Sequence, residues 1–144
     1  MQPIIDNIIQ KNRNIKIIYR PIGVMNPYSK VLAKLALAAK NQNKFVLFHD
    51  ALMASSSVLT TQQIIHLAEL LGLSSYQLFH DSNSDEIMRC LENNLDLAKT
   101  HDPEGKIRLP LILLGSKAKP THSFKFVGEV SEKLLQISIN SLSN

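Results

Sequence analysis

The sequence predicts an α/β protein in which a block of helices interrupts a smaller core of strands and helices. Residues 15–20 are β-branched and aromatic, which is typical of a buried strand. Residues 29–101 carry successive apolar stripes at helical spacing, separated by turn residues. Residues 107–142 then predict a strand, a turn, a second strand and a closing helix. We therefore expect one domain, 1–144, with a core of residues 1–22 and 107–142 and a helical insertion at about 29–101.

The composition favours an ordinary globular domain. The chain has 144 residues, 44% apolar and 19% charged, which suits one core of normal size. No apolar run is long enough to span a membrane. The net charge is +4, but lysine and arginine are spread along the chain, so nucleic acid is not an expected partner. Residues 1–14 lack the basic start and the cleavage site of a signal peptide.

The first hundred residues predict a helix, a strand and then five helices. Residues 3–9 place their apolar side chains on one helical stripe. Pro21 ends the strand, because proline cannot donate to a ladder. Thr60 and Gln63 form a capping-box pattern for a helix that ends before Gly72. Further helices are expected at residues 29–39, 43–54, 75–80 and 83–100.

The stretch around Pro110 organises the end of the chain. Pro110 precedes a short apolar run and should occupy the first position of a strand at 111–114. Taken alone, the stretch fits a cis or a trans Leu109–Pro110 bond, since the cis form before proline costs only about 0.5–1 kcal/mol. A second strand is expected at 124–127, and a helix from 129 to 142 follows Gly128.

Six motifs, in order, resemble the DsbA family of thioredoxin-like proteins, which insert a helical subdomain into a thioredoxin core. The resemblance covers essentially the whole chain. The motifs are Ile18-Tyr19-Arg20-Pro21-Ile22, an alanine-rich helix after Ser29, Phe45-x-x-x-His49-x-x-Leu52, the helix Ile64 to Leu73, Asn94 followed by Leu97-Ala98, and Leu109-Pro110.

The resemblance implies a function and a site. It implies a thiol–disulfide oxidoreductase that forms or isomerises disulfide bonds in secreted proteins, in the periplasm or another oxidising compartment. Its substrates would be extended or unfolded polypeptides. A cis proline at Pro110, with Leu109 before it, would contact the substrate, and His49 would pack structurally.

The redox cysteine pair of that family does not occur in this sequence. Family members carry Cys-x-x-Cys at the start of the first helix, after a core strand, whereas this sequence starts part-way along that helix, as if truncated at the N-terminus. We therefore expect no catalytic residue in this chain. The one cysteine, Cys90, should be a buried apolar residue of a helix. Leu109 replaces the usual Thr or Val before the proline.

No cofactor and no metal site are expected. None of the five histidines is paired with another at a spacing of three or four residues, which is the spacing of a helix-borne metal site. Met25, Met53 and Leu109, together with the phenylalanines, either line an apolar peptide groove or are ordinary core residues.

The sequence is compatible with two functions. The chain is either most of a DsbA-like oxidoreductase, inactive on its own without the cysteine pair, or a natural redox-dead scaffold that binds extended peptides beside Pro110. In a thioredoxin-like sheet a strand would lie between residues 15–20 and 111–114. A strand from a second copy could fill that gap, which makes a homodimer by strand exchange a further candidate.

Overall fold

The structure is a computed structural model that describes residues 1–102, 104 and 106–143. The chain divides into two compact units, Met1–Ile18 with Ala98–Asn144 and Tyr19–Leu97. The described helices are α1 (Gln2–Lys11), α2 (Pro27–Ala38), a 3-10 turn (Ala39–Gln42), α3 (Phe45–Ala54), α4 (Thr61–Leu70), α5 (Ser75–Ser82), α6 (Asp85–Thr100) and α7 (Glu132–Ser143). The described strands are β1 (Leu111–Gly115) and β2 (Ser123–Val127).

The first unit packs α1 and α7 against a two-stranded antiparallel sheet. Leu111 lies opposite Val127, and this register continues to Gly115 opposite Ser123. Because side chains alternate along a strand, only one face of the sheet reaches the core. The apolar cluster on that face consists of Ile8, Val130, Leu135 and Ile139, with Ile112, Leu114 and Phe126 packed against it.

Polar contacts fix α7 against α1. Asn12 and Gln136 exchange side-chain hydrogen bonds in both directions, each 2.9 Å long. Glu132 pairs with Lys11 and accepts a hydrogen bond from Asn7 at 3.1 Å. The hydrogen bond from Lys11, followed by that from Asn7, holds the pKa of Glu132 below its ordinary value.

The second unit is a cluster of helices around a continuous apolar core. Phe48, Leu35 and Leu78 are fully buried there. The predicted capping box of α4 is confirmed: the Gln63 N–H donates to Thr60 Oγ1 at 3.2 Å, and the Thr60 N–H donates to Gln63 Oε1 at 2.8 Å. Helix α2 begins earlier than expected, because Asn26 caps it and proline suits a first helical position.

Two other helix starts differ from the prediction for a similar reason. Helix α6 begins at Asp85, where the Ser84 hydroxyl accepts from the Ile87 N–H at 3.3 Å. Helix α7 begins at Glu132 rather than at 129, where the Ser131 hydroxyl accepts from the Leu134 N–H at 3.3 Å. In both cases a serine hydroxyl satisfies a free N–H of the first turn and sets the boundary.

The predicted strand at residues 15–20 is wrong: these residues lie in no ladder, and the described sheet contains β1 and β2 alone. Their burial nevertheless alternates between half-buried and exposed, and Ile18 is 61% exposed. The β-branched sequence therefore gives an extended backbone with a strand-like alternation. A strand also needs a neighbour that supplies its hydrogen bonds, and local sequence does not report that neighbour.

None of the helices in the described part of the chain combines the length and the apolar character that crossing a membrane requires.

Candidate functional site

The candidate site is the segment that leads into β1. The peptide bond between Leu109 and Pro110 is cis. The Pro110 carbonyl accepts a hydrogen bond from the Gly128 N–H at 2.8 Å, which continues the pairing of the two strands by one residue. Gly128 has a φ of +84°, in the left-handed region that favours glycine, so the chain can turn away directly after β2. Pro110 is thereby fixed to the end of the sheet.

Leu109 is the exposed member of the predicted pair. Its side chain is 44% exposed, whereas Pro110 is half-buried. Among the residues that the structure describes, none hydrogen-bonds to the Leu109 backbone. Its N–H and C=O are therefore available to another extended chain, and its side chain offers an apolar contact next to them.

A buried carboxylate organises the residues before Leu109. Asp102 is 8% exposed; its Oδ1 accepts from the Glu104 N–H at 3.0 Å and its Oδ2 from Arg108 Nε at 3.2 Å. Burial alone would raise the pKa of Asp102, but the backbone N–H of Glu104 and the Arg108 guanidinium outweigh burial and lower it. The Lys125 ammonium, on β2, donates to the His101 carbonyl at 2.8 Å.

Sequence reasoning missed Asp102 and Arg108. The signal that exists is an acidic residue followed, six positions later, by a basic one across a turn. Such pairs occur equally in solvated turns, and only the burial of Asp102 distinguishes this one.

Cys90 lies away from this segment in the sequence and belongs to the second unit. It is half-buried on α6 and packs against the apolar core of that unit, rather than being fully buried as expected. It is also the chain's one cysteine, so no internal disulfide can form. Nothing in this arrangement resembles the start of a helix, where a thiolate is stabilised.

His49 packs among aromatic rings in the second unit. Its ring centroid lies 5.2 Å from that of Tyr19 and 5.5 Å from that of Phe45, and its Nδ1 lies 3.2 Å from the Asp50 carboxylate. Asn94 is 4% exposed and holds the segment of Arg20 and Pro21 in place. Its side chain accepts a hydrogen bond from Arg20 at 3.2 Å and donates one to the Pro21 carbonyl at 3.1 Å. These residues support the fold of the unit.

The sequence left open whether Met25 and Met53 line a groove or belong to the core. Met25 and Met53 are 83% and 69% exposed, so the alternative that they are core residues is wrong for both.

The second unit also contains a cavity of about 100 Å³, lined mainly by Val24, Met88 and Leu91. That volume suits a single side chain and falls short of the roughly 300–1,000 Å³ of small-molecule sites. Within the described residues, no three His, Cys, Asp or Glu side chains cluster as metal ligands would.

Comparison with known proteins identifies the fold. No protein-family model and no curated protein matches the sequence. A thioredoxin-like oxidoreductase from Silicibacter pomeroyi DSS-3 superposes with a TM-score of 0.80 at 22% identity, over 97% of this chain and 75% of that one. Proteus mirabilis ScsC, in a compact conformation, superposes with a TM-score of 0.77 at 18% identity, over 99% of this chain and 74% of that one. The chain therefore has the thioredoxin-like α/β fold of these oxidoreductases.

Proposed function

We propose that this chain is a DsbA-like thiol–disulfide oxidoreductase scaffold that binds extended or unfolded polypeptides beside Pro110 and performs no dithiol exchange of its own. The observation that carries the proposal is Leu109, the residue before Pro110: its side chain is apolar and exposed, and no described residue hydrogen-bonds to its backbone. The fold shared with oxidoreductases supports the substrate class.

The binding mode follows from the backbone. An extended polypeptide would hydrogen-bond to the N–H and C=O of Leu109 and place an apolar side chain against the Leu109 side chain. Each such hydrogen bond contributes about 0.5–1.5 kcal/mol net. Two hydrogen bonds contribute about 1–3 kcal/mol, whereas a dissociation constant of 1 mM corresponds to about 4.1 kcal/mol, so with one apolar contact added we expect weak binding, in the millimolar range. That affinity allows a polypeptide to exchange rapidly and places little demand on its sequence.

The redox part of the proposal follows from the thiols. Exchange needs an attacking thiolate, and a second thiol to resolve the mixed disulfide. The sequence offers Cys90 alone, packed against a core. The lineage function would still be disulfide formation or isomerisation in secreted proteins, and we propose the periplasm or another oxidising compartment as its place of action, because disulfides persist there.

The test has a binding part and a redox part. In a titration of the ¹⁵N-labelled chain with an extended apolar peptide, the amide signals of Arg108, Leu109 and Leu111 should shift most. The same protein should not reduce insulin faster than the added small thiol does alone. Shifts confined to the second unit, or insulin reduction that requires Cys90, would contradict the proposal.

A homodimer by strand exchange is a second candidate, favoured by residues 15–18. They are extended, their burial alternates, and no described residue pairs with them in a ladder. Ile15 packs against the same apolar cluster as Ile112 and Leu114 of β1, which itself pairs with β2 alone among the described residues. A strand from a second copy could bond to both segments. Sedimentation velocity should then show a dimer at micromolar concentration; a monomer throughout would eliminate this candidate.

We further propose that the domain organisation is that of one thioredoxin-like domain, with residues 1–22 and 107–142 as the core and about 29–101 as the insertion. The support is that the first compact unit joins the two ends of the chain and the second is continuous in sequence.

A further inference from the structure

Asp102 and Arg108 present an oriented cation next to the proposed binding site. The Asp102 side chain is 6% exposed, and its carboxylate accepts from the backbone N–H of Glu104 and from the Nε of Arg108. The Arg108 side chain itself is 56% exposed. The Nε edge of its guanidinium is thus bound to Asp102, while more than half of the side chain remains exposed to solvent.

The other edge of that guanidinium is unused. Arginine carries five N–H donors in a planar fork, and a carboxylate can accept two of them in parallel. Among the described residues, Arg108 bonds through Nε to Asp102, and its terminal nitrogens have no partner. Arg108 immediately precedes Leu109 and both residues are exposed, so a polypeptide that bonds to the Leu109 backbone passes one residue from the base of the Arg108 side chain.

We propose that Arg108 selects extended polypeptides that carry Asp or Glu close to the apolar side chain lying against Leu109, with Asp102 as the positioning residue for its guanidinium. This inference rests on the proposed function and specifies its substrate. A guanidinium already held at Nε loses less conformational freedom on binding than a free one, and preorganisation of this kind favours the bound state.

The charges nearby set the size of the effect. Lys106, 76% exposed, already pairs with Glu104 at 3.4 Å, so it offers less to a ligand than Arg108 does. Lys125 contributes a further positive charge through its position near His101. The charged groups around this turn are therefore the cations of Arg108, Lys106 and Lys125 and the carboxylates of Asp102 and Glu104. An exposed ion pair in such surroundings corresponds to roughly a two- to fivefold preference.

The experiment compares two extended peptides that differ only by Glu against Gln, titrated into the full chain and followed by NMR. The wild-type chain should bind the Glu peptide about two- to fivefold more tightly, and high salt should reduce that ratio. Arg108→Gln should bring the ratio of the two affinities to about one. Lys133→Gln, which removes the same charge from the exposed first turn of α7, should retain the wild-type ratio.

Asp102→Asn separates positioning from net charge. This variant removes one negative charge, so a purely electrostatic attraction would raise the affinity for the Glu peptide relative to the Gln peptide. Loss of the oriented guanidinium should instead lower it. Thermal melting checks that the variant is folded, and Arg108→Gln carries the test alone if it is not.

The outcomes are distinct. If neither peptide binds, the proposed function fails. If both bind equally to the wild-type chain, or if Arg108→Gln leaves the ratio unchanged, the function stands and the selection by Arg108 is overturned. If Arg108→Gln removes the preference but Asp102→Asn raises it, Asp102 is not the positioning residue.

Discussion

Asp102 shows how one buried side chain can determine a surface. Its carboxylate accepts from the backbone N–H of Glu104, which the turn would otherwise leave without an acceptor, and from Arg108 Nε as well. The residues that a ligand would touch, Arg108 and Leu109, are exposed. The position of the Arg108 guanidinium is therefore set by a residue that the ligand does not contact.

The lowered pKa of Asp102 predicts a dependence of stability on pH. A carboxylate whose pKa is lower in the folded than in the unfolded chain stabilises the fold above its ordinary value of 3.8, and this contribution is lost as the pH falls through the lowered value. Urea denaturation should therefore show a stability difference between wild type and Asp102→Asn at pH 6 that shrinks below about pH 3.8.

Asp81 and Glu132 also have lowered pKa values, so both proteins should lose stability in acid. The comparison removes their shared contribution and leaves that of Asp102. A difference that stayed constant down to pH 2 would show that Asp102 is not held as a charged acceptor.

At the scale of elements, α3 shows where pattern analysis fails. Its sequence is apolar on nearly all sides, and helical spacing allows Phe45, Phe48, Leu52 and Met53 all to face inward. The structure buries Phe48 and Leu52, leaves Phe45 half-buried and exposes Met53. A helix without a polar face carries no information about which side its neighbours cover.

Two leucines of α3 test this assignment with the same substitution. Leu52 is 8% exposed and Leu47 is 50% exposed. Leu52→Ala leaves a cavity in the core and should cost about 2–5 kcal/mol, whereas Leu47→Ala should stay within about 0.5 kcal/mol. Chemical denaturation of the two variants provides the measurement. Equal losses would mean that the buried face of α3 is assigned incorrectly.

In the other elements, a feature was predictable where nearby residues determine it. Capping residues fix helix starts locally, so the α4 box was predictable from Thr60 and Gln63 alone. The pairing of β1 with β2 was predictable too, because a short polar turn separates two apolar runs. Whether residues 15–20 form a strand was not predictable, because a strand also needs a second strand that pairs with it, and the local sequence does not show whether one is present.

At the scale of the whole molecule, the order of the motifs carried the fold prediction, and the structural likeness to thioredoxin-like oxidoreductases confirms it. The site was predictable only in part. Leu109 and Pro110 were predictable from the resemblance and the proline signal. Asp102 and Arg108 were not, since the burial of a carboxylate depends on which residues fold over it.

The central claim is that extended polypeptides bind beside Pro110, and a matched pair of leucines tests it most directly. Leu109 and Leu134 are equally exposed, at 44% and 45%, and both belong to the first unit. An apolar extended peptide should bind Leu109→Lys at least about fivefold more weakly than wild type, because the apolar contact is lost and a charge is placed in the site. Leu134→Lys, on α7, should bind as wild type. Equal affinity of both variants for the peptide, measured by the same NMR titration, would contradict the account.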